Sequence, residues 1–157
     1  ACCRVSCPPS EWLQTAQGHR MRLVLDAEAV NALIDPAHPA STQVMRSMSA
    51  ARRLNRDVAI ATVTLAELYR GAGRSHALDA LLSREGDALL LRDTDGMFAR
   101  LVGGILAEAG ADSRHLADAH AVAVAVETGG GVIVTGDPKD IRRLASPHRS
   151  VSIEALT

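Results

Sequence analysis

The apolar positions of the chain fall into short unbroken runs separated by longer segments of helical period. Arg22 to Leu25 (RLVL), Val58 to Val63 (VAIATV), Ala88 to Leu91 (ALLL) and Val132 to Thr135 (VIVT) lack polar alternation. Runs of this kind predict strands buried on both faces, as in a parallel sheet. Val151 to Ile153 is a candidate fifth strand at an edge. Between the runs, the spacing predicts helices over 27–34, stopped near Pro36, and over 39–54, with Val44, Met45 and Met48 at helical spacing. Further helices are predicted over Thr64 to Arg70, ending near Gly71, over 75–84, with Gly86 beyond, over 94–109, closed by Gly110, over 115–127, ended by Gly129 to Gly131, and over 138–145. The internal pair Gly103–Gly104 disfavours the 94–109 helix by roughly 1 kcal/mol per glycine against alanine. Strands and helices in this alternation imply a parallel sheet covered on both faces. In such sheets a ligand site lies at the carboxyl ends of the strands, where the strand order reverses.

Composition narrows the class further. At 157 residues, 47% hydrophobic and 22% charged, the chain buries one core, and collagen, coiled coil and full disorder are excluded. No apolar stretch approaches the 20 or so residues of a membrane span. The net charge of −1 provides no global basic field, so contact with nucleic acid must come from a local patch. Only Trp12, Tyr69 and Phe98 are aromatic, which leaves base stacking poorly supplied. Of the 17 basic residues only Lys139 is a lysine; arginine, with its planar fork, suits phosphate.

Residues 1–20 differ from the rest. They hold Cys2, Cys3, Cys7, Trp12, Pro8 and Pro9, show no hydrophobic period, and lack the basic start and apolar run of a secretory signal. Three thiols with His19 nearby fit no common zinc spacing. The expectation is a non-native or disordered N-terminal extension ahead of a domain over 21–157. That domain contains no cysteine, so it has no disulfide framework and a cytoplasmic location is expected.

Acidic residues stand just past the predicted strand ends. Asp26 follows the first strand, Glu67 lies one turn into the next helix, Asp118 lies in the apolar helix LADAHAVAVAV, and Asp137 follows the fourth strand with Asp140 one turn on. Each has a structural role open to it. Asp137 before Pro138 is an N-cap pattern, Asp26 can cap its own helix, and Thr64-Leu65-Ala66-Glu67 is a capping box by pattern. Asp118 is harder to absorb, because a carboxylate in an apolar helix needs a partner or a metal. Three or four carboxylates at one sheet edge repel unless a cation holds them. Hard oxygen donors favour Mg²⁺, or Mn²⁺, over zinc. Such a site activates water and stabilises charge on a phosphoryl oxygen, which points to metal-assisted phosphodiester hydrolysis.

The segments LVLDAEAVNAL, TLAELYRG, LADAHAVAVA and VIVTGDPKDIRRLA, in this order, resemble the PIN-domain ribonucleases, and most nearly the VapC-type toxins of bacterial toxin–antitoxin pairs. The likeness covers residues 21–153, and TGDPKD is its most specific piece. It implies a three-layer α/β/α sandwich with a parallel five-stranded sheet, in agreement with the element order. By match, Asp26, Glu67, Asp118 and Asp137 take the family's four acidic positions, Asp140 an auxiliary one, and Thr135 the hydroxyl that orients the water or a phosphate oxygen. The resemblance implies a Mg²⁺-dependent endoribonuclease that leaves 5′-phosphate and 3′-hydroxyl ends, forms a homodimer and is neutralised by a small antitoxin. The antitoxin peptide would lie in an apolar groove, for which helices 39–54 and 64–70 are candidates, and set an arginine among the acids.

Departures from the family pattern are Glu28, two positions after Asp26, where Ser or Asn is common, and His120, two after Asp118, where relatives are apolar. Helical spacing turns His120 away from the Asp118 face and suggests a structural histidine. Arg70, Arg74, Arg142 and Arg143 are candidate phosphate contacts or solvated helix surface. Two other classes stay open: a receiver-like signalling domain, for which Lys139 stands in the wrong place, and a catalytically silent binding module. A DNA flap nuclease would need elements for which this chain lacks room.

Overall fold

The computed structural model describes residues 21–157; the readings placed on residues 1–20 lie outside them. Five strands, β1 (Arg22–Leu25), β2 (Val58–Ala61), β3 (Leu89–Arg92), β4 (Gly131–Thr135) and β5 (Val151–Ala155), alternate with seven α-helices. These are α1 (Ala27–Ile34), α2 (Ser41–Arg53), α3 (Thr62–Leu68), α4 (Ala72–Glu85), α5 (Gly96–Glu108), α6 (Leu116–Glu127) and α7 (Pro138–Ala145). All strand pairs are parallel, in the order β3-β2-β1-β4-β5. From β1 the chain builds outward through β2 to β3, then returns to the other side of β1 for β4 and β5. The order therefore reverses between β1 and β4.

Period-two alternation along the central strands feeds two cores. Leu23, Leu25, Val58 and Ile60 face α1 to α4, joining Val30, Val44, Leu65, Leu78 and Leu81. Val24, Ala59, Ala61 and Ile133 face the other layer, with Phe98 and Val102 of α5, Val122 and Val124 of α6, and Ile141 and Leu144 of α7. Helix α6 is buried without interruption from Ala119 to Ala125. A helix that is apolar all round must be enclosed, and its alanines let β1, β2, β4, α5 and α7 all approach it. That enclosure fixes the position of Asp118 in its first turn.

Four local expectations are corrected. The run VAIATV ends as a strand at Ala61, and α3 begins at Thr62. Ala61 pairs with Arg92, the last residue of β3, so a longer β2 would have no ladder partner there. Thr64 consequently lies buried inside α3, whose N-cap is Ala61 with no side-chain cap bond, and the capping box does not form. Helix α4 begins at Ala72 rather than 75, and β5 runs on to Ala155, opposite Thr135. The Gly103–Gly104 pair does not interrupt α5. No helix among the described residues is long and apolar enough to cross a membrane.

Candidate active site

The carboxyl ends of β1 and β4 lie side by side, with Leu25 opposite Val134. Asp26, directly after β1, caps α1: its Oδ1 accepts the Ala29 N–H at 2.9 Å. Its Oδ2 accepts the Gly136 N–H at 3.3 Å, from the turn after β4. Only 8% exposed, Asp26 has its carboxyl pushed above the ordinary carboxylate value by burial. Hydrogen bonds from the Thr135 hydroxyl and the Ala29 and Gly136 amides oppose this without cancelling it. Thr135 is fully buried, and its Oγ1 also accepts the Asp137 N–H at 2.9 Å. One hydroxyl thus joins the carboxylate after β1 to the backbone after β4. Asp137 caps α7, its Oδ1 accepting the Asp140 N–H at 3.4 Å, with Pro138 in the first helical position.

Asp118 is half-buried in the first turn of α6. Burial pushes its carboxyl up, His115 pulls it back, and the charges of Asp26 and Asp140 push it further. A cleft of about 500 Å³ is lined by Asp26, Asp118 and Asp137 together with Glu28, His38 and Gly136. Asp140 joins from α7. Its Oδ2 lies 3.6 Å from Nδ1 of His115, which lies 3.6 Å from Oδ2 of Asp118. The three donor atoms lie within 4.8 Å of one another.

The structure therefore gathers Asp26, Asp118 and Asp137 around one cleft, sets Thr135 beneath it and Asp140 beside it. Glu67 stands apart: it is exposed on α3 and does not line the cleft. His115 went unnoticed in the sequence, where it merely opened a predicted helix. Its place three residues before Asp118 was the available signal, since positions i and i+3 share a helix face. His120 is the structural histidine its spacing suggests. It is 4% exposed, with Nδ1 2.7 Å from the Leu116 carbonyl, Nε2 3.0 Å from the Thr94 hydroxyl, and its ring edge-on to Phe98.

Glu28 is a cleft residue that the pattern left ambiguous. Its carboxylate accepts from Asn31 Nδ2 at 3.1 Å and lies 3.0 Å from His38 Nε2, and these two bonds hold its pKa below the ordinary value. A Cβ on Gly136 would meet the Glu28 Cγ at 2.7 Å, so glycine is what lets α1 close over the β4–α7 turn. Beyond Glu28 a second cleft of about 440 Å³ carries Arg74, Asn31 and His38. Arg143 is occupied by the fold, its guanidinium donating to the Ala109 and Gly110 carbonyls at the end of α5 at 3.1 and 2.9 Å. Arg70 and Arg142 are exposed.

Among the described residues no lysine or arginine pairs with Asp26, Asp118, Asp137 or Asp140. Carboxylates drawn together from three distant segments, two of them desolvated, with His115 as their one basic neighbour among the described residues and no lysine or arginine, could hold a divalent cation. The donors present fit such an ion, although they do not choose between Mg²⁺ and Mn²⁺.

Residues 23–147 match the PIN domain family. Among solved structures, the VapBC2 of Rickettsia felis, crystallised with a DNA fragment from its promoter, is similar at a TM-score of 0.60 and 19% identity, over 87% of this chain and 100% of that one. The DNA-bound VapBC of Salmonella typhimurium is similar at a TM-score of 0.57 and 20% identity, over 86% of this chain and 98% of that one. At these identities the likeness is one of fold. No curated protein matches the chain in sequence.

Proposed function

Since the chain belongs to the PIN-domain family, we propose that it is a metal-dependent endoribonuclease of the VapC toxin type, acting on RNA phosphodiesters. The observation that carries this reading is the meeting of Asp26 and Asp118. They lie 92 positions apart in the chain, yet they line one cleft and press on each other electrostatically. Asp26, Asp118 and Asp137 would hold the ion, with Asp140 auxiliary, and all-oxygen donors favour Mg²⁺. The bound ion supplies the Lewis acidity that activates water and offsets charge developing on the phosphoryl oxygens.

The chain's own groups do the positioning. The Ala29 and Gly136 amides and the Thr135 hydroxyl fix both oxygens of Asp26, so little reorganisation is needed when charge develops nearby. Thr135 also sets the turn that carries Asp137. Arg74, in the neighbouring cleft, offers the cation that an RNA backbone needs on approach to an acidic site. Glu67, exposed on α3 and outside the cleft lining, would ligate through water or help deprotonate the nucleophile.

The partners follow from the same reading. The two similar structures are VapBC complexes with DNA; an antitoxin partner and a homodimer are proposed from the resemblance to VapC-type toxins, and a cytoplasmic location from the lack of cysteine in residues 21–157. The test is RNA cleavage in Mg²⁺ with Asp26→Asn and Asp118→Asn beside the parent. Both variants should fold and cleave at least about 10³-fold more slowly, a loss of roughly 4 kcal/mol of transition-state stabilisation. Unchanged cleavage by both would remove the site from the mechanism.

A further inference from the structure

Resting on the reading of this cleft as a divalent-metal centre, we infer that His115, Asp118 and Asp140 form a second cation position whose nitrogen donor favours Mn²⁺ over Mg²⁺. The His115 Nδ1 stands 3.6 Å from one oxygen of each carboxylate. That is too long for a hydrogen bond to either, and one ring nitrogen carries at most one proton for two acceptors. A protonated His115 pairs electrostatically with both carboxylates, and a cation can take the place of that proton. As a coordination shell the arrangement is apt. Donors about 2.0–2.2 Å from a common ion stand roughly 3–4 Å from one another; both nitrogen–oxygen distances fall in that range, and all three atoms lie within 4.8 Å of each other, so the two carboxylates would draw slightly together on an ion.

The three donors come from rigid places. His115 closes a one-turn 3-10 helix, Ser113–His115, and caps α6. Asp118 follows one turn on, and Asp140 lies in the first turn of α7, which packs on α6. The imidazole is 19% exposed and the carboxylates 32% and 33%, leaving room for water ligands. Asp118 offers an oxygen to this position and to the all-oxygen position beside Asp26 and Asp137, so the two would be adjacent. Their chemistry differs. Mg²⁺ takes oxygen in near-ideal octahedral geometry. Mn²⁺ accepts the same oxygens and stands in the first-row series that imidazole also binds.

The test uses the full chain and Mn²⁺ alone. Mn²⁺ is the probe because the soft thiols Cys2, Cys3 and Cys7 would compete for zinc. Electron spin-echo spectroscopy of bound Mn²⁺ should show nitrogen coupling from one imidazole in the parent and none in His115→Gln. Calorimetry should show that this variant binds Mn²⁺ at least about tenfold more weakly and keeps its Mg²⁺ affinity, with an unchanged melting profile. Mn²⁺ bound without nitrogen coupling, or with equal affinity in both proteins, overturns this inference and leaves the nuclease reading standing. Failure of the parent to bind either ion overturns both.

Discussion

Replacing Asp118 by asparagine separates metal binding from folding in one experiment. An oxygen of Asp118 and an oxygen of Asp140 lie within 4.8 Å. Two unit charges at that distance repel by roughly 1 kcal/mol in water and about 3.5 kcal/mol at an effective dielectric constant of 20. Both side chains are about one-third exposed, at 32% and 33%, so screening favours the lower half of that range, about 1–2 kcal/mol. The metal-free variant should therefore be more stable than the parent, by roughly 2–8 °C in melting temperature for a chain of this size. The gain has a defined pH dependence. Burial raises the Asp118 and Asp26 carboxyls above the ordinary value of 3.8. A raised carboxyl contributes stability that is complete below the unfolded value and is lost as pH rises through the folded one. The parent should thus lose ground to the variant above about pH 4, and the two should converge below it. Adding a divalent cation at about 100 times its dissociation constant should then reverse the order, stabilising the parent by roughly 2.7 kcal/mol and the variant hardly at all. Calorimetric melts at several pH values, with and without cation, read all three effects. A metal-free variant less stable than the parent at neutral pH, or one still stabilised by cation, would refute the electrostatic account of the site.

Three further outcomes follow from particular residues. His120→Ala should destabilise the fold by about 2–4 kcal/mol in denaturant melts, because it removes a buried ring with both its hydrogen bonds and leaves a cavity beside Phe98, yet leave cation affinity unchanged. Gly103→Ala and Gly104→Ala should each stabilise α5 by up to about 1 kcal/mol, since an added Cβ at either meets nothing within 4 Å; a lowered melting temperature would contradict this. Glu67→Gln should slow RNA cleavage while preserving the cation-induced rise in melting temperature, because its carboxylate does not line the cleft; loss of that rise would make it a close ligand.

What could be read in the sequence, and what could not, divides along the range of the interaction responsible. β1, β2 and β4 were legible because burial on both faces imposes an unbroken apolar run, whereas the equally apolar β3 proves to be an edge strand with Leu90 and Leu91 exposed. α1 and α7 were legible because Asp26 and Asp137 announce their starts by local capping chemistry. The end of β2 was not legible. Thr62 and Val63 are as β-prone as the residues before them, and only the last residue of β3, Arg92, tells the chain to stop pairing at Ala61. The same division runs through the site. Asp118 was conspicuous because a carboxylate in an apolar helix demands an explanation from its own neighbours in sequence. His115 was inconspicuous because its partners divide between an i+3 carboxylate and Asp140, 25 residues on, brought near by the packing of α6 on α7. Glu28 tells the same story in reverse. Its departure from the family pattern was visible, but whether it faced solvent or the cleft depended on Gly136 leaving space for it and on His38, ten positions away, to hold it. Motif matching thus finds the groups whose chemistry is shared with relatives. The residues that would tune this site, His115, Glu28 and His38, emerge only when helices that are remote in sequence are packed together.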